Sequence, residues 1–565
     1  MRDVVSIACL VVIATAACFD PSPAFPVPLW QHNADALQST LQTIGSSLEK
    51  LAHHPKYDTT SFSVELTSQT DTLWSHHHSA RKHNSTRPGT IHVDGQSQYR
   101  IASMTKTFTV LGMLYQHAAG NLSLDDTVDN YIYELSDPDS SGAIPWKDIT
   151  LRSLASQLSG IPREMAQADL VNEVDDPTKV GLPPATRKGL PDCYEYNDHE
   201  PCTRKELLEH FLKKAALFAP NQQSTYSNVA FELLGLVLQN VTGLPYEEYM
   251  KQAIFAPLNL TSTSLDKPSD DHAVLPLGQF FWDVREGIHN PTGGVYSSSN
   301  DMSAYCRYIL THYNAIATGV NWLFPASWSM GLNSFYGMPF EIFRTEKILD
   351  NSQRLVTFVT KAGGVPMYFS RMSLMPEYGL ALTILVGGSN AILDRIQEAV
   401  TIPLVRAAET ATWKAMDEEY AGTYTAIEPS GLNSSLTLTA SESTGLTLTS
   451  FISNSTDVFA TLLPIYAGVH GDESWRAQLV PTLLYKNETT QQGEIWRLLV
   501  VPERTGKAKV WDEFCNTDVD VASYAGLPIN EVVFWHGEQV VELPAWRVKL
   551  KRTEGEGRPG LVVQD

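Results

Sequence analysis

The chain has 565 residues, too many for one typical domain, so two or more are expected. Hydrophobic residues make up 43% and charged residues 18%, an ordinary globular balance, but the formal net charge is -22 and the pI near 5.1. So acidic a surface repels phosphate backbones and anionic lipid, which argues against nucleic acid and charged membranes as partners.

In chain order, Arg2 is followed by the apolar run "VVSIACLVVIATAAC". It is short for a bilayer span, and Ala14, Ala16 and Ala17 offer a cleavage site, so residues 1–18 read as a secretory signal peptide. No later stretch is apolar for long enough to span a membrane. N-x-S/T sequons at Asn84, Asn121, Asn240, Asn259, Asn433, Asn454 and Asn487 agree with a secreted glycoprotein. Cys9 and Cys18 leave with the leader. Of the remaining cysteines, Cys193 and Cys202 enclose the polar loop "CYEYNDHEPC" and suit a local disulfide in an oxidising compartment. Cys306 lies in an apolar helical pattern and reads as a buried free thiol, and the pairing of Cys515 stays open. The cysteine spacings match no zinc ribbon or finger.

Residues 30–55 have helical spacing of apolar positions, and "SFSVELTSQTDTLWS" (61–75) alternates as a hairpin does. The following "HHHSARKHNSTRPGT" reads as a polar loop. Its His76–His78 run has no Cys or acidic neighbour to complete a metal site. After Ser103, "FTVLGMLYQHAAGNLSLDD" is apolar nearly all round, as in a buried helix, with Gly120 as its stop. Residues 163–202 turn polar and rich in Pro, Asp and Lys, which marks an insertion outside the core. Helical spacing returns over 203–256, and residues 354–388 read as three strands, "RLVTFVTKAGG", "MYFSRMSLM" and "YGLALTILVGG". A charged, Ala-rich helix ends near 405–418. Beyond it "SLTLTAS", "GLTLTSF", "IWRLLVVP" and "WRVKLKR" alternate at period two, so residues 419–555 read as a separate all-β domain.

Three stretches carry chemistry. Ser103 and Lys106 lie one helical turn apart, where a lysine made partly neutral by burial could hold a serine hydroxyl and take its proton. The spacing alone says little, since Ser47, Ser79 and Ser264 also have a lysine three residues on, but none of those has a buried helix behind it. Tyr226-Ser227-Asn228 precedes another apolar helix. A phenol can relay protons and an amide can orient a carbonyl, although capping of the helix at 229 explains the same residues. Lys361-Ala362-Gly363-Gly364 ends a strand, where a lysine could face Tyr226 and a glycine N–H an oxyanion, or where a Gly-Gly turn stands beside a surface lysine.

In this order the three stretches resemble the S-x-x-K, Y-x-N and K-x-G motifs of the serine β-lactamase and penicillin-binding-protein superfamily, in particular its class C branch of β-lactamases, D-aminopeptidases, esterases and transesterases. "ITLRSLASQLSGIPRE" (149–164) and "PTGGVYSSSNDMSAYCRYI" (291–309) are similar to connecting stretches of that family. The resemblance implies an α/β (α+β) domain over 30–405, with helices on both faces of an antiparallel sheet and an all-helical subdomain. It implies an acyl-enzyme on Ser103, with Lys106 and Tyr226 sharing acid and base work, Lys361 keeping the site positive, and Asn228 and Gly363 at the substrate. The resemblance also implies an oxyanion hole formed by the N–H groups of Ser103 and Gly364. No metal or organic cofactor is called for, and the expected partner is a small-molecule or peptide-like ester or amide. Gln157 stands where the family has a supporting His. Ala362 lacks the hydroxyl of K-T-G, which weakens the case for β-lactams. Met367 replaces a usual Gly and is expected to narrow the pocket, with the 163–202 insertion over the cleft. Hydrolysis, acyl transfer by the same groups, and binding on an inactive fold all stay open. No G-x-S-x-G elbow supports an α/β-hydrolase.

Overall fold

The computed structural model describes residues 22–553 apart from short segments (31–33, 137–143, 166–168, 173, 191–192, 194–199, 279–280, 353, 428–432, 468–473, 504–506, 508–509, 511–518 and 520–521). The signal segment, Cys9, Cys18 and Cys515 lie outside the described residues.

The first sheet has eight antiparallel strands in the order β2-β1-β10-β9-β8-β7-β6-β5. They are β1 (Ser61–Thr67), β2 (Thr72–His78), β5 (Ser327–Trp328), β6 (Ser334–Tyr336), β7 (Glu341–Thr345), β8 (Val356–Val365), β9 (Tyr368–Met375) and β10 (Leu380–Gly387), while β3 (Gln98–Arg100) and β4 (Tyr296–Ser298) pair apart. The alternation of "SFSVELT" has a physical cause. Phe62, Val64 and Leu66 join the core shared with the helices Gln38–Ala52 and Leu393–Tyr420. The polar alternates turn to the Ser299–His312 helix, where Ser63 Oγ lies 3.1 Å from Tyr99 Oη and Arg307 donates to Thr67 Oγ1 at 2.9 Å. Both faces of the sheet are thus covered.

The histidine run is not a loop. His76–His78 complete β2, with His76 and His78 stacked on Phe62 at centroid distances of 6.0 and 5.3 Å and His77 Nδ1 3.1 Å from Ser63 Oγ. The three rings extend the period-two pattern of the strand, which a reading of His as merely polar hides. Burial pushes all three imidazoles below their usual range.

A second core gathers the helices Thr105–Ala118 and Val229–Thr242 with the loops between them. The insertion is not wholly outside it. Met165, Cys193 and Cys202 are buried in this core, and the two cysteines are disulfide-bonded. Cys306 is a buried free thiol beside Thr383, its pKa pushed up by burial to about 12.

The Leu393–Tyr420 helix leads into a mostly β domain. There, eight antiparallel strands, from Gly422–Ala426 to Val548–Arg552, pair in a ring that closes through Ser435–Ser441 against Gly445–Ser453. Among the described residues, closure leaves no long unpaired edge. Buried Arg354 grips Glu409 of the helix through Nε at 2.9 Å and Nη2 at 2.7 Å, and Trp413 Nε1 donates to the same carboxylate at 2.8 Å.

Candidate active site

Ser103 sits in a 3-10 turn, Ala102–Met104, just before the Thr105–Ala118 helix. Ala102 has φ of 47°, a left-handed conformation that a side chain makes costly, immediately before the residue in question. Ser103 itself is half-buried, so its hydroxyl is reachable. Lys106 is fully buried, and its Nζ donates to Ser103 Oγ at 3.0 Å and to the Thr292 carbonyl at 2.8 Å. That carbonyl is held close because Gly235, on the Val229–Thr242 helix, has no side chain. A Cβ there would lie 2.2 Å from Pro291 Cγ.

Tyr226 completes the cluster, its hydroxyl 2.9 Å from Ser103 Oγ. The loop carrying it is zipped to the segment before Glu164. Ser227 N donates to Gln157 Oε1 at 2.6 Å, Thr225 N to the Gln157 carbonyl at 2.9 Å, and Asn228 N to the Arg163 carbonyl at 2.8 Å. Gln157 does this from a left-handed backbone (φ 61°), so it occupies the supporting position expected of it. Helix capping falls to Ser227 Oγ, which accepts from Ala230 N at 3.1 Å, while Asn228 makes no side-chain cap. Asn228 instead donates from Nδ2 to Glu164 at 2.6 Å.

Lys361 stands inside β8 rather than at its end, and Gly363 and Gly364 remain in the strand, paired with Ser370 and Phe369. The Gly-Gly turn is thereby overturned. Gly363 is required by a close approach: a Cβ there would lie 2.3 Å from the Ile101 carbonyl and 3.0 Å from Ser103 N. The Ala362 N–H donates to Glu341 Oε2 at 3.1 Å, toward the edge where β7 begins. At a strand period of two, the Gly364 N–H faces the same edge. The turn comes later, at Met367, whose φ of 68° gives a backbone reason for the family's glycine. Its carbonyl accepts from Gly388 N, which ties the β8–β9 turn to the end of β10.

Electrostatics are set by three cations around one phenol. Lys106 Nζ and Lys361 Nζ each lie 5.2 Å from the Tyr226 ring centroid, and the Arg163 guanidinium 4.7 Å. Burial holds the Lys106 ammonium below the usual lysine range, and Lys361 adds to this against the pull of Tyr226. Burial works against the Tyr226 phenolate, but Lys106 and Lys361 outweigh it and the phenol is held below the usual tyrosine range. Lys361 also resists burial. Its 2.6 Å pair with Glu341, with Tyr226 adding, keeps it charged and its pKa raised.

Glu341, the Thr292 carbonyl and the Arg163–Glu164 pair escape sequence reasoning. A lone Glu on a five-residue strand and a backbone carbonyl carry no motif; only the register that places Glu341 opposite Thr360 reveals the first. All seven residues expected at the site fall in this region. Of the sequons, Asn84 is half-buried and the other six asparagines are exposed. Among the described residues, no group of three or more His, Cys, Asp or Glu is placed to hold a metal ion, and no helix is long and apolar enough to cross a membrane.

The Beta-lactamase family model matches residues 69–436, and a second, described as "Beta-lactamase-like-like, C-terminal domain", matches 412–554. The chain is similar to "Probable hydrolase M10" of Phoma sp., 31% identical over 92% of this chain and 88% of that protein. It is also similar to "Beta-lactamase-like protein" of Arthroderma benhamiae, 29% identical over 86% of this chain and 85% of that protein. Among solved structures, "A class C beta-lactamase" aligns with a TM-score of 0.48 at 14% identity, over 66% of this chain and 96% of that one. The family match spans well over half of the sequence and both relatives are matched along most of their length, so the chain belongs to the serine β-lactamase family, with a C-terminal β-domain that the second family model matches.

Proposed function

We propose that the protein is a secreted serine hydrolase that cleaves an ester or amide through an acyl-enzyme on Ser103. The observation that carries this is the position of Ser103 Oγ, 3.0 Å from Lys106 Nζ and 2.9 Å from Tyr226 Oη, between two groups whose proton affinity the site has lowered. Ser103 Oγ attacks the carbonyl carbon as its proton passes to Lys106 or Tyr226. The oxyanion is met by the Ser103 and Gly364 N–H groups. Collapse expels the alcohol or amine, which takes a proton from Tyr226. Water, deprotonated by the same pair, then cleaves the acyl-serine. Lys361, anchored by Glu341, keeps the phenol acidic throughout. The exposed sequons and the Cys193–Cys202 disulfide support an extracellular setting.

Ser103→Ala tests the reading: turnover of a chromogenic ester is expected to vanish with the circular-dichroism spectrum unchanged, and unchanged turnover overturns it. Added alcohol that diverts the acyl group into a new ester would reveal transfer by the same site.

A further inference from the structure

Glu164 joins the catalytic cluster to a second feature. Its side chain, 11% exposed, accepts from Asn228 Nδ2 at 2.6 Å and also lines a cavity of about 740 Å³. The cavity lies beside the site, walled by the insertion. Met165, Leu170, Val171, Val174, Leu182 and Pro183 form an apolar strip along it, beside three carboxylates and the cations of Arg187 and Lys214. Its size falls within the roughly 300–1,000 Å³ typical of small-molecule pockets.

We propose that this cavity binds an extended apolar arm of the substrate. The substrate class is then an ester or amide with a long or bulky hydrocarbon arm. This rests on Ser103 being the nucleophile. Continuity supports the assignment, since one side chain, Glu164, belongs both to the cavity wall and to the hydrogen bonds of the catalytic loop.

The test compares two series on the full chain: nitrophenyl esters from acetate to decanoate, and acetate esters from ethyl to decyl. In one of them kcat/KM should rise about tenfold or more from short to long. Ala185→Trp and Leu182→Arg, both at exposed positions lining the cavity, should each cut that long-to-short ratio by about tenfold, with folding checked by circular dichroism. A flat profile in both series, or a ratio that neither substitution moves, overturns the pocket. Turnover that persists in Ser103→Ala overturns the nucleophile instead, so the two failures are distinguishable.

Discussion

A methyl group added at Gly363 should disable the site, while the same methyl one residue on should not. At Gly363 the new Cβ would lie 2.3 Å from the Ile101 carbonyl, 2.5 Å from Ser370 Oγ and 3.0 Å from Ser103 N. The carbonyl cannot easily yield, since it accepts from Ser370 Oγ at 2.6 Å and from Met104 N at 3.2 Å. Relief to ordinary contact needs β8 to separate from the Ser103 turn by roughly an ångström, the scale at which positioning errors cost about 100-fold in rate. Overpacking of this kind costs about 1–3 kcal/mol of stability. At Gly364 the nearest atom to a new Cβ is Phe369 Cδ1 at 3.5 Å, ordinary contact, and the backbone N–H survives. Gly363→Ala should therefore lose about 100-fold in kcat with a lower melting temperature, and Gly364→Ala should stay within a few-fold of the parent. The assay is ester turnover beside thermal denaturation. Gly363→Ala turning over at the parental rate would refute the close approach of β8 to Ser103.

Opposite charges beside Tyr226 should move the pH profile in opposite directions. Lys361 lowers the affinity of both Tyr226 and Lys106 for protons, and the active base is the deprotonated form, so Lys361→Met should shift the acid limb of kcat/KM upward by about one unit or more. Glu341 opposes ionisation of Tyr226, so Glu341→Gln should shift that limb downward; shifts of the same sign would contradict these roles. Glu409→Ala leaves buried Arg354 with Glu377 alone as its counter-charge, and should cost about 3 kcal/mol in chemical denaturation. Tyr226→Phe removes the hydroxyl 2.9 Å from Ser103 Oγ and should lower kcat by about 100-fold or more without loss of folding.

Much of this arrangement was legible because it is local. A serine and a lysine three residues apart at the mouth of an apolar helix can share one face, and here Nζ lies 3.0 Å from Oγ. The alternation of 61–75 and the three apolar runs of 354–388 likewise announce their own strands. What stayed hidden depends on register and on distant segments. Glu341 matters because β7 begins opposite Thr360, which leaves its carboxylate to reach Lys361 and the Ala362 N–H. Glu164 read as the start of a polar insertion, but its partner Asn228 is brought to it by backbone bonds from Arg163. The glycine-glycine pair and the histidine run misled for one reason. Both residue types are common in loops, and only pairing with a neighbouring strand shows them to be sheet.

Covalent labelling reaches the central claim most directly. The native chain treated with a fluorophosphonate probe, digested and mapped by mass spectrometry, should carry the phosphonyl adduct on the peptide containing Ser103, and prior incubation with an ester that is turned over should reduce it. An adduct on another serine, or none in a preparation that hydrolyses that ester, would contradict the assignment of Ser103 as the nucleophile.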